Sequence, residues 1–539
     1  MSTFGTFNTA RLGIYAAQKG LDVTGNNITN INTVGYTRQR LDQVSLVTTA
    51  SDKYFSQYKT RVGQGVLTTG VSQIRDPGMD LLYRNSQANV GAADQKLAGL
   101  EDLASILDEV GKGDGEQDDG VILSRLNDLR DLISQAVTNG IDGYNSEIRT
   151  SASSLCTLLN KYANDLSELK ETYETTLEQD VSKINTILEQ IQDLNTSIRD
   201  ADIRGDDALE LRDQRNLLLD QLSGFMKIDV KYTTEDVGAG LMVEKLTVSL
   251  ATGNHNTLID GEYGTQLTLQ PDDPNYSISL DALRDEDGEK KNPGDPDSVT
   301  LGDTDLYGSL QSLRELLTER GEYATDADVA IDPDAAIKRG IPYYQNALDS
   351  LAREFAKQMN ALNNVDGADI PGEGNLFSVS SNSNDVVDAN GNGITAANIA
   401  VSKGWSDGSI SMIASKDPSA SSGDTSNLAA FLDVFNKTHS FNPDDIVAGA
   451  VGGTSPFRGS FEDMLLRIES TLAEDQSSTS AVLTNYSVTA NEIYTARDGV
   501  SGVDLNDEAT NLMVYQKAYT AACRLMTVLD EALNTLLAI

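Results

Sequence analysis

The sequence predicts an α+β multidomain fold: paired N- and C-terminal coiled-coil-like helices, a long helical rod domain, and β-rich outer domains inserted mid-chain. Three observations carry this. Apolar residues keep strict three-and-four spacing at both ends of the chain, the pattern of a narrow coiled-coil seam. A helical period runs almost unbroken over 144–203. Residues 226–304 and 366–455 lose that period and split into short runs between Gly, Ser, Asp and Asn, as strands and turns do.

In chain order, the first helix carries Phe7, Ala10, Ile14, Ala17, Leu21, Thr24, Ile28 and Ile31 on one stripe, and Thr33, Val34 and Gly35 end it. Residues 36–75, rich in Thr, Val, Ser and Gly, read as short strands, and Asp76-Pro77-Gly78 as a turn before a helix at 79–109. The run GKGDGEQDDG at 111–120 reads as a solvated loop, followed by a helix at 121–138. The long helix has Leu155, Leu158, Tyr162, Leu166, Leu169, Tyr173 and Leu177 on one face, continued by Ile184, Leu188, Ile191, Leu194 and Ile198. Gly205 stops it, and 207–222 forms another helix. Helical pattern returns at 308–318, 340–363, 460–500 and 504–539. The last segment keeps the strict spacing again, with Leu512, Tyr515, Tyr519, Ala522, Met526, Leu529, Leu533 and Leu536.

The simplest topology brings the ends together. Residues 1–35 with 504–539 form a terminal helical polymerisation domain. Residues 36–225 with 305–365 and 456–503 form the mainly helical rod, 226–304 a β-rich insertion, and 366–455 a β-rich outer domain. Short terminal helices need packing partners, so the ends are expected to be loose in the free chain and ordered on assembly.

Charge narrows the function. The chain has 41 Lys and Arg against 82 Asp and Glu, a net of −41. That excludes a general nucleic-acid binder, which needs a basic face, and argues against anionic membrane surfaces. Residues 1–75 hold eight basic and three acidic residues, a net of +5, whereas 491–539 hold three basic and seven acidic, a net of −4. Opposite signs favour association of the two ends. No apolar run approaches a membrane span, and the start MSTFGTFNTARLG has neither the basic region nor the apolar core of a cleaved signal.

The residues for catalysis are sparse. His255 and His439 both fall in polar, loop-like sequence, too far apart for a zinc motif and without flanking signatures of a hydrolase triad. Cys156 and Cys523 sit in helical pattern and read as small buried hydrophobes, not as a disulfide or metal pair. Asp388-Ala389-Asn390-Gly391-Asn392-Gly393 resembles the start of a calcium loop, but its twelfth position is Ile399 where a bidentate Glu is needed, so it reads as a surface turn. We read a structural assembly subunit, not an enzyme, with no cofactor.

Certain residues point further. Ala16-Ala17-Gln18 and Asn26-Asn27-Ile28-Thr29-Asn30-Ile31-Asn32-Thr33-Val34-Gly35-Tyr36-Thr37-Arg38-Gln39 resemble the N-terminal signature of bacterial flagellar axial proteins, shared by rod, hook and hook-associated proteins. Leu211-Arg212-Asp213-Gln214-Arg215-Asn216-Leu217-Leu218-Leu219-Asp220-Gln221-Leu222-Ser223 is similar to a segment of the hook–filament junction family, as is the ending from Ser501 to Ala509 with Leu512, Tyr515, Gln516, Ala518 and Tyr519. The helix from Ala347 to Ala361 leading to Asn375-Leu376-Phe377, and Ser460-Phe461-Glu462-Asp463, fit the same family. Val34 replaces a Pro common in relatives, and Cys523 a small residue. The β-rich stretches match weakly.

The resemblance implies a flagellar hook–filament junction subunit, secreted unfolded through the flagellar type III export apparatus to an extracellular position. It implies an export chaperone on the C-terminal helix, and a ring of identical subunits set between the hook protein and a second hook–filament junction protein. The assembly interface expected is Phe7, Ile14, Ala17, Leu21, Asn26, Asn27, Ile28, Asn30, Gly35, Tyr36 and Arg38 at one end, with Arg40 a further candidate. At the other it is Leu505, Leu512, Tyr515, Gln516, Tyr519, Ala522, Met526, Leu529, Leu533 and Leu536. A hook or rod subunit is the alternative in the same class; a surface-displayed adhesin or enzyme is the alternative in another.

Overall fold

The computed structural model of the chain describes residues 3–46, 63, 65–107, 121–238, 240–270, 275–365, 370–421 and 423–538. The acidic run 111–120 and the charged Asp52, Lys53, Lys59 and Arg61 lie outside them. The chain forms α1 (Thr3–Thr29), an antiparallel pair of β1 (Gln39–Ser45) and β2 (Val66–Gln73), then α2 (Pro77–Leu107), α3 (Val121–Asn139), α4 (Asn145–Arg204) and α5 (Leu209–Phe225). In the first insertion β3 (Ile228–Asp236), β4 (Met242–Leu250), β5 (Thr257–Asp260) and β6 (Tyr263–Gly264) make one antiparallel sheet. A second sheet joins β7 (Leu267–Leu269), β8 (Ile278–Asp281) and β9 (Ser298–Thr300). Helices α6 (Ser309–Thr318), α7 (Asp326–Ile331) and α8 (Ile341–Asn363) return to the rod. The second insertion holds β10 (Phe377–Ser378), β11 (Ala400–Val401), α9 (Lys403–Asp407), α10 (Ser426–Asn436), β12 (His439–Phe441) and β13 (Phe457–Gly459). The chain closes with α11 (Phe461–Ser501) and α12 (Leu505–Leu537).

The long helices begin and end where their local chemistry dictates. Helix α4 runs 60 residues and stops at Gly205, whose φ of 81° is left-handed and whose N–H reaches Asp202 O, a glycine C-cap. Helix α11 opens on a capping box between Ser460 and Asp463. Asp504 caps α12 by accepting from the N–H groups of Asn506 and Asp507. On α4 the buried stripe Leu155, Leu159, Tyr162, Leu166, Tyr173, Leu177, Ile184, Leu188 and Ile191 is the backbone of a single core. That core extends through α2, α3, α6 and α8 into both insertions and to Leu472 of α11.

The second insertion corrects the expectation of a β-rich domain over 366–455. Its strands are two or three residues long, and its largest regular element is α10. Ser, Asn and Asp side chains there bond neighbouring backbone: Asp385 N donates to Ser383 Oγ, Ser409 N to Asp407 Oδ1, and Ser419 N to Asp417 Oδ1. Such local bonds hold turns and compete with ladders. Buried Trp405, Phe377 and Phe431 then fasten these turns to the rod, with Phe377 edge-on to both Phe355 of α8 and Trp405.

His439 is likewise not in a polar loop. It lies on β12, buried and stacked at 4.6 Å on Phe461, with Nε2 2.7 Å from Val434 O. His255 is in a turn, at a φ of 52°. Cys156 is buried, and desolvation pushes its thiol up to about 12, whereas Cys523 on α12 is only partly covered. Asp388 forms a closed turn, accepting from the N–H groups of Asn390 and Asn392 at 2.9 and 2.8 Å.

Candidate assembly interface

Helices α1 and α12 pack on each other within one chain, antiparallel: Gly13 of α1 faces Ala522, and Gly20 faces Tyr515. A Cβ placed on Gly20 would lie 2.5 Å from the Tyr515 ring. The side of α1 that meets α12 is not the large-residue stripe. Gly13 and Gly20 face α12, on a stripe with buried Ala10, Ala17, Thr24 and Asn27, the last of which bonds Gln39. These six keep a three-and-four spacing of small residues, which lets two helix backbones approach closely. Phe7, Ile14, Leu21 and Ile28, seven apart, form a half-buried flank beside that seam. On α12, Tyr515, Ala522, Met526, Leu529 and Leu533 are partly covered, while Leu505, Leu512, Gln516 and Tyr519 are exposed. The side chain of Leu536 lies outside the described residues.

Helix α12 has a second apolar stripe. Val514, Ala518, Ala521, Leu525, Val528 and Ala532 also follow strict three-and-four spacing, and all six are exposed. One helix thus carries one stripe against α1 and another that this chain leaves bare.

The remaining signature residues build a polar junction under the helix pair. Asn27 exchanges two hydrogen bonds with the backbone of Gln39, donating from Nδ2 at 2.9 Å and accepting at Oδ1 at 3.0 Å. Tyr36 donates its hydroxyl to the same Oδ1 at 2.9 Å. Burial, followed by nearby Asp213 and Glu210, pushes that phenol well above its ordinary range. Asn30 Nδ2 donates to Asn26 O and Oδ1, closing the turn after α1, where Gly35 sits at a φ of 82°. Thr37 N donates to Asp213 Oδ2 at 3.0 Å. Arg38 N donates to Ser501 O, and its guanidinium reaches Glu508 at 2.8 Å and Asp507 at 3.5 Å. Asn27, Tyr36 and Arg38 thus each have partners within the chain. Among the described residues Arg40 pairs with Asp42, and it stays exposed.

Below this junction runs an alternating chain of charges that the sequence reading missed. Asp213 lies 3.8 Å from Arg75, Arg75 bonds Asp80, Asp80 meets Arg497 at 2.7 Å, Arg497 meets Asp220 at 2.6 Å, and Asp220 meets Arg84 at 2.8 Å. It links α2, α5, α11 and the strand end before α2. Burial opposes ionisation of Asp80, but Arg75, Arg497 and Arg84 outweigh it and hold its carboxyl below the usual range. Asp213, at the end of the chain with a single distant cation, is pushed up by burial. The signal available in sequence was Asp80 and Arg84 at i, i+4 and Asp213 and Asp220 at i, i+7, charged residues on helix faces that also carry apolar ones.

The first and last helices of the chain thus form one pair, and α12 keeps a second, exposed apolar stripe. Three family models match it in register with these elements. "Flagella basal body rod protein" covers residues 7–37, "Flagellar basal body rod FlgEFG protein C-terminal" covers 499–539, and "Flagellar hook-associated protein FlgK helical domain" covers 117–377. The terminal models fit rod and hook subunits as well; the 117–377 match separates this chain from them. Flagellar hook-associated protein 1 of Bacillus subtilis is 27% identical over 99% of this chain and 97% of its own length. The Salmonella typhimurium protein of the same name is 22% identical over 98% and 99%. The solved flagellar hook junction protein FlgK from Burkholderia pseudomallei aligns with 56% of this chain and 47% of its own at 22% identity, with a TM-score of 0.40. Over nearly its whole length the chain is similar to flagellar hook-associated proteins of the FlgK family.

Proposed function

We propose that this chain is the structural subunit that forms the junction between hook and filament in the bacterial flagellum and acts as the adaptor for filament assembly. The observation that carries this reading is the two-sided α12. One stripe is occupied by α1 of the same chain, and Val514, Ala518, Ala521, Leu525, Val528 and Ala532 await a neighbour. A repeating heterologous contact between identical subunits generates a helical lattice. The helix pairs form its inner layer, and the insertions face outward. The partners in this reading are further copies of the chain, the hook protein on one edge and a second junction protein on the other, in an extracellular position. Delivery is through the flagellar type III export apparatus, with a chaperone masking α12 beforehand. The role is structural, not catalytic: the His439 ring is buried between Phe461 and Val434 O.

The test is complementation in the native bacterium. Removing residues 505–539 should leave hooks without filaments and filament protein in the medium; normal filaments would overturn the junction role. Val514→Asp with Val528→Asp should give the same phenotype while the purified chain keeps its helix content, because only the bare stripe changes.

A further inference from the structure

The corner between α6 and α7 holds a cavity of about 220 Å³ lined by Glu319 and Asp332, with Glu315 beside them outside its lining. Glu315 lies on α6, Glu319 directly follows it, and Asp332 directly follows α7. One carboxylate oxygen from each lies within 4.8 Å of the other two. Lys338 bridges two of them, its Nζ 2.7 Å from Glu315 Oε1 and 2.7 Å from Asp332 Oδ2. The third is different. Glu319 is 9% exposed, lines the cavity beside Asp332, and its carboxylate has no hydrogen-bond partner among the described residues. Burial, then repulsion from Glu315, pushes it up to about 8. Asp303, Asp328, Arg314 and Arg320 also line the cavity, and Arg314 is paired with Asp303.

We propose that Glu315, Glu319 and Asp332 form a binding site for a hard divalent cation of the calcium type. Such ions take six to eight oxygen ligands at about 2.3–2.6 Å and tolerate irregular geometry. Three carboxylates supply the anionic ligands, and the cavity has room for the waters that complete the shell. The ammonium of Lys338 already holds the cationic position between Glu315 and Asp332, so the entering ion displaces it, and Glu319 becomes the ligand that an ammonium leaves unused. Bound there, the ion ties the end of α6 to the end of α7, closing the 320–331 segment that contains α7.

The experiment is calcium titration of the full-length chain by calorimetry at ~0.1 M salt, where diffuse binding to a surface of net −41 is largely screened. Melting followed by circular dichroism runs in parallel. One saturable site is expected, with a calcium-dependent rise in melting temperature. Glu319→Gln should weaken it at least tenfold. Lys338→Met, which removes the competing ammonium, should tighten it several-fold. Asp388→Asn should change nothing. Equal affinity in the wild-type chain and Glu319→Gln would overturn the proposal, as would loss of binding in Asp388→Asn. If Glu319→Gln does not fold, Lys338→Met decides alone: binding no tighter than wild type sinks the idea.

Discussion

The rod and the terminal helix pair are both helical, yet they are built on opposite rules. The rod buries large side chains completely: Leu100, Leu103, Leu166, Leu313 and Phe355 are all enclosed, in one core that reaches from Leu100 to Leu472. No residue of α1 or α12 belongs to that core. The terminal pair instead closes on Ala, Gly and Thr and leaves its larger residues half-covered or bare. A fully buried leucine stabilises by roughly 1.5–3 kcal/mol relative to an exposed one, so the rod is stable by itself. The pair buries less per residue within the chain and leaves much of its apolar surface exposed.

The largest effect should come from breaking the charge chain that ties the rod's own helices together. Arg497 joins α11 to Asp80 and Asp220 and lies 4.6 Å over the Tyr83 ring. Arg497→Met leaves two mostly buried carboxylates under-neutralised and should cost about 3–5 kcal/mol, read as a fall in denaturation midpoint. A loss under ~1 kcal/mol would mean that the charge chain is not what holds α11 to α2 and α5. Next, the two packing rules can be set against each other. Leu166→Ala should lower the stability of the rod by ~2–5 kcal/mol. Gly20→Leu should leave the main unfolding transition in place, loosen α12 by ~1–3 kcal/mol through overpacking against Tyr515, and abolish polymerisation. Equal effects of both on the main transition would erase the contrast drawn here.

How much of this was legible depends on the range of the interaction that decides it. Helix α4 and its stop at Gly205 follow from local period and one glycine, and α11 and α12 start where Ser460 and Asp504 cap them. The terminal helices were legible too, but not their faces. Large apolar residues dominate any periodicity reading, and the structure seats Gly13 and Gly20 against the partner, residues whose role is the lack of a side chain. The region 366–455 misled because Ser, Asn, Asp and Gly read as strand boundaries, whereas here Ser and Asp side chains bond the backbone and replace the strands. The charge chain from Asp213 to Arg84 was invisible because its members are far apart in sequence and meet only in the fold.

A smaller effect tests how the second insertion is fastened. Asp349 of α8 accepts from Ala396 N at 2.7 Å, and burial pushes its carboxyl up to about 6. Between the ordinary carboxylate value near ~4 and about 6, the folded chain holds a proton that the unfolded chain has released. Stability from this group is thus complete below ~4 and lost as pH rises through 6, by roughly 2 kcal/mol. Asp349→Asn, uncharged throughout, should flatten that slope in denaturation curves taken from pH 4 to 7; an unchanged slope would assign the pH dependence elsewhere.

The smallest effect concerns the charges of the two ends. The net of +5 over residues 1–75 against −4 over 491–539 suggests that α1 and α12 attract as charged faces. The geometry gives that attraction a single address. Arg11 donates to Asn8 and Lys19 pairs with Asp22, both along the exposed side of α1. Among the described residues, the ion pairs that join these two end segments are those of Arg38 with Asp507 and Glu508. Glu508 is 1% exposed, so its partner is screened little by salt, whereas α1's outer charges are screened within about 10 Å at ~0.1 M. Reversal of Arg11 and Lys19 to Glu should therefore shift amide exchange in α12 by no more than ~0.5 kcal/mol, with no new salt dependence. Arg38→Glu, which sets a like charge against buried Glu508, should accelerate exchange across the first turns of α12 far more. If both variants loosened α12 alike, the ends would be held by their summed fields and not by one buried contact.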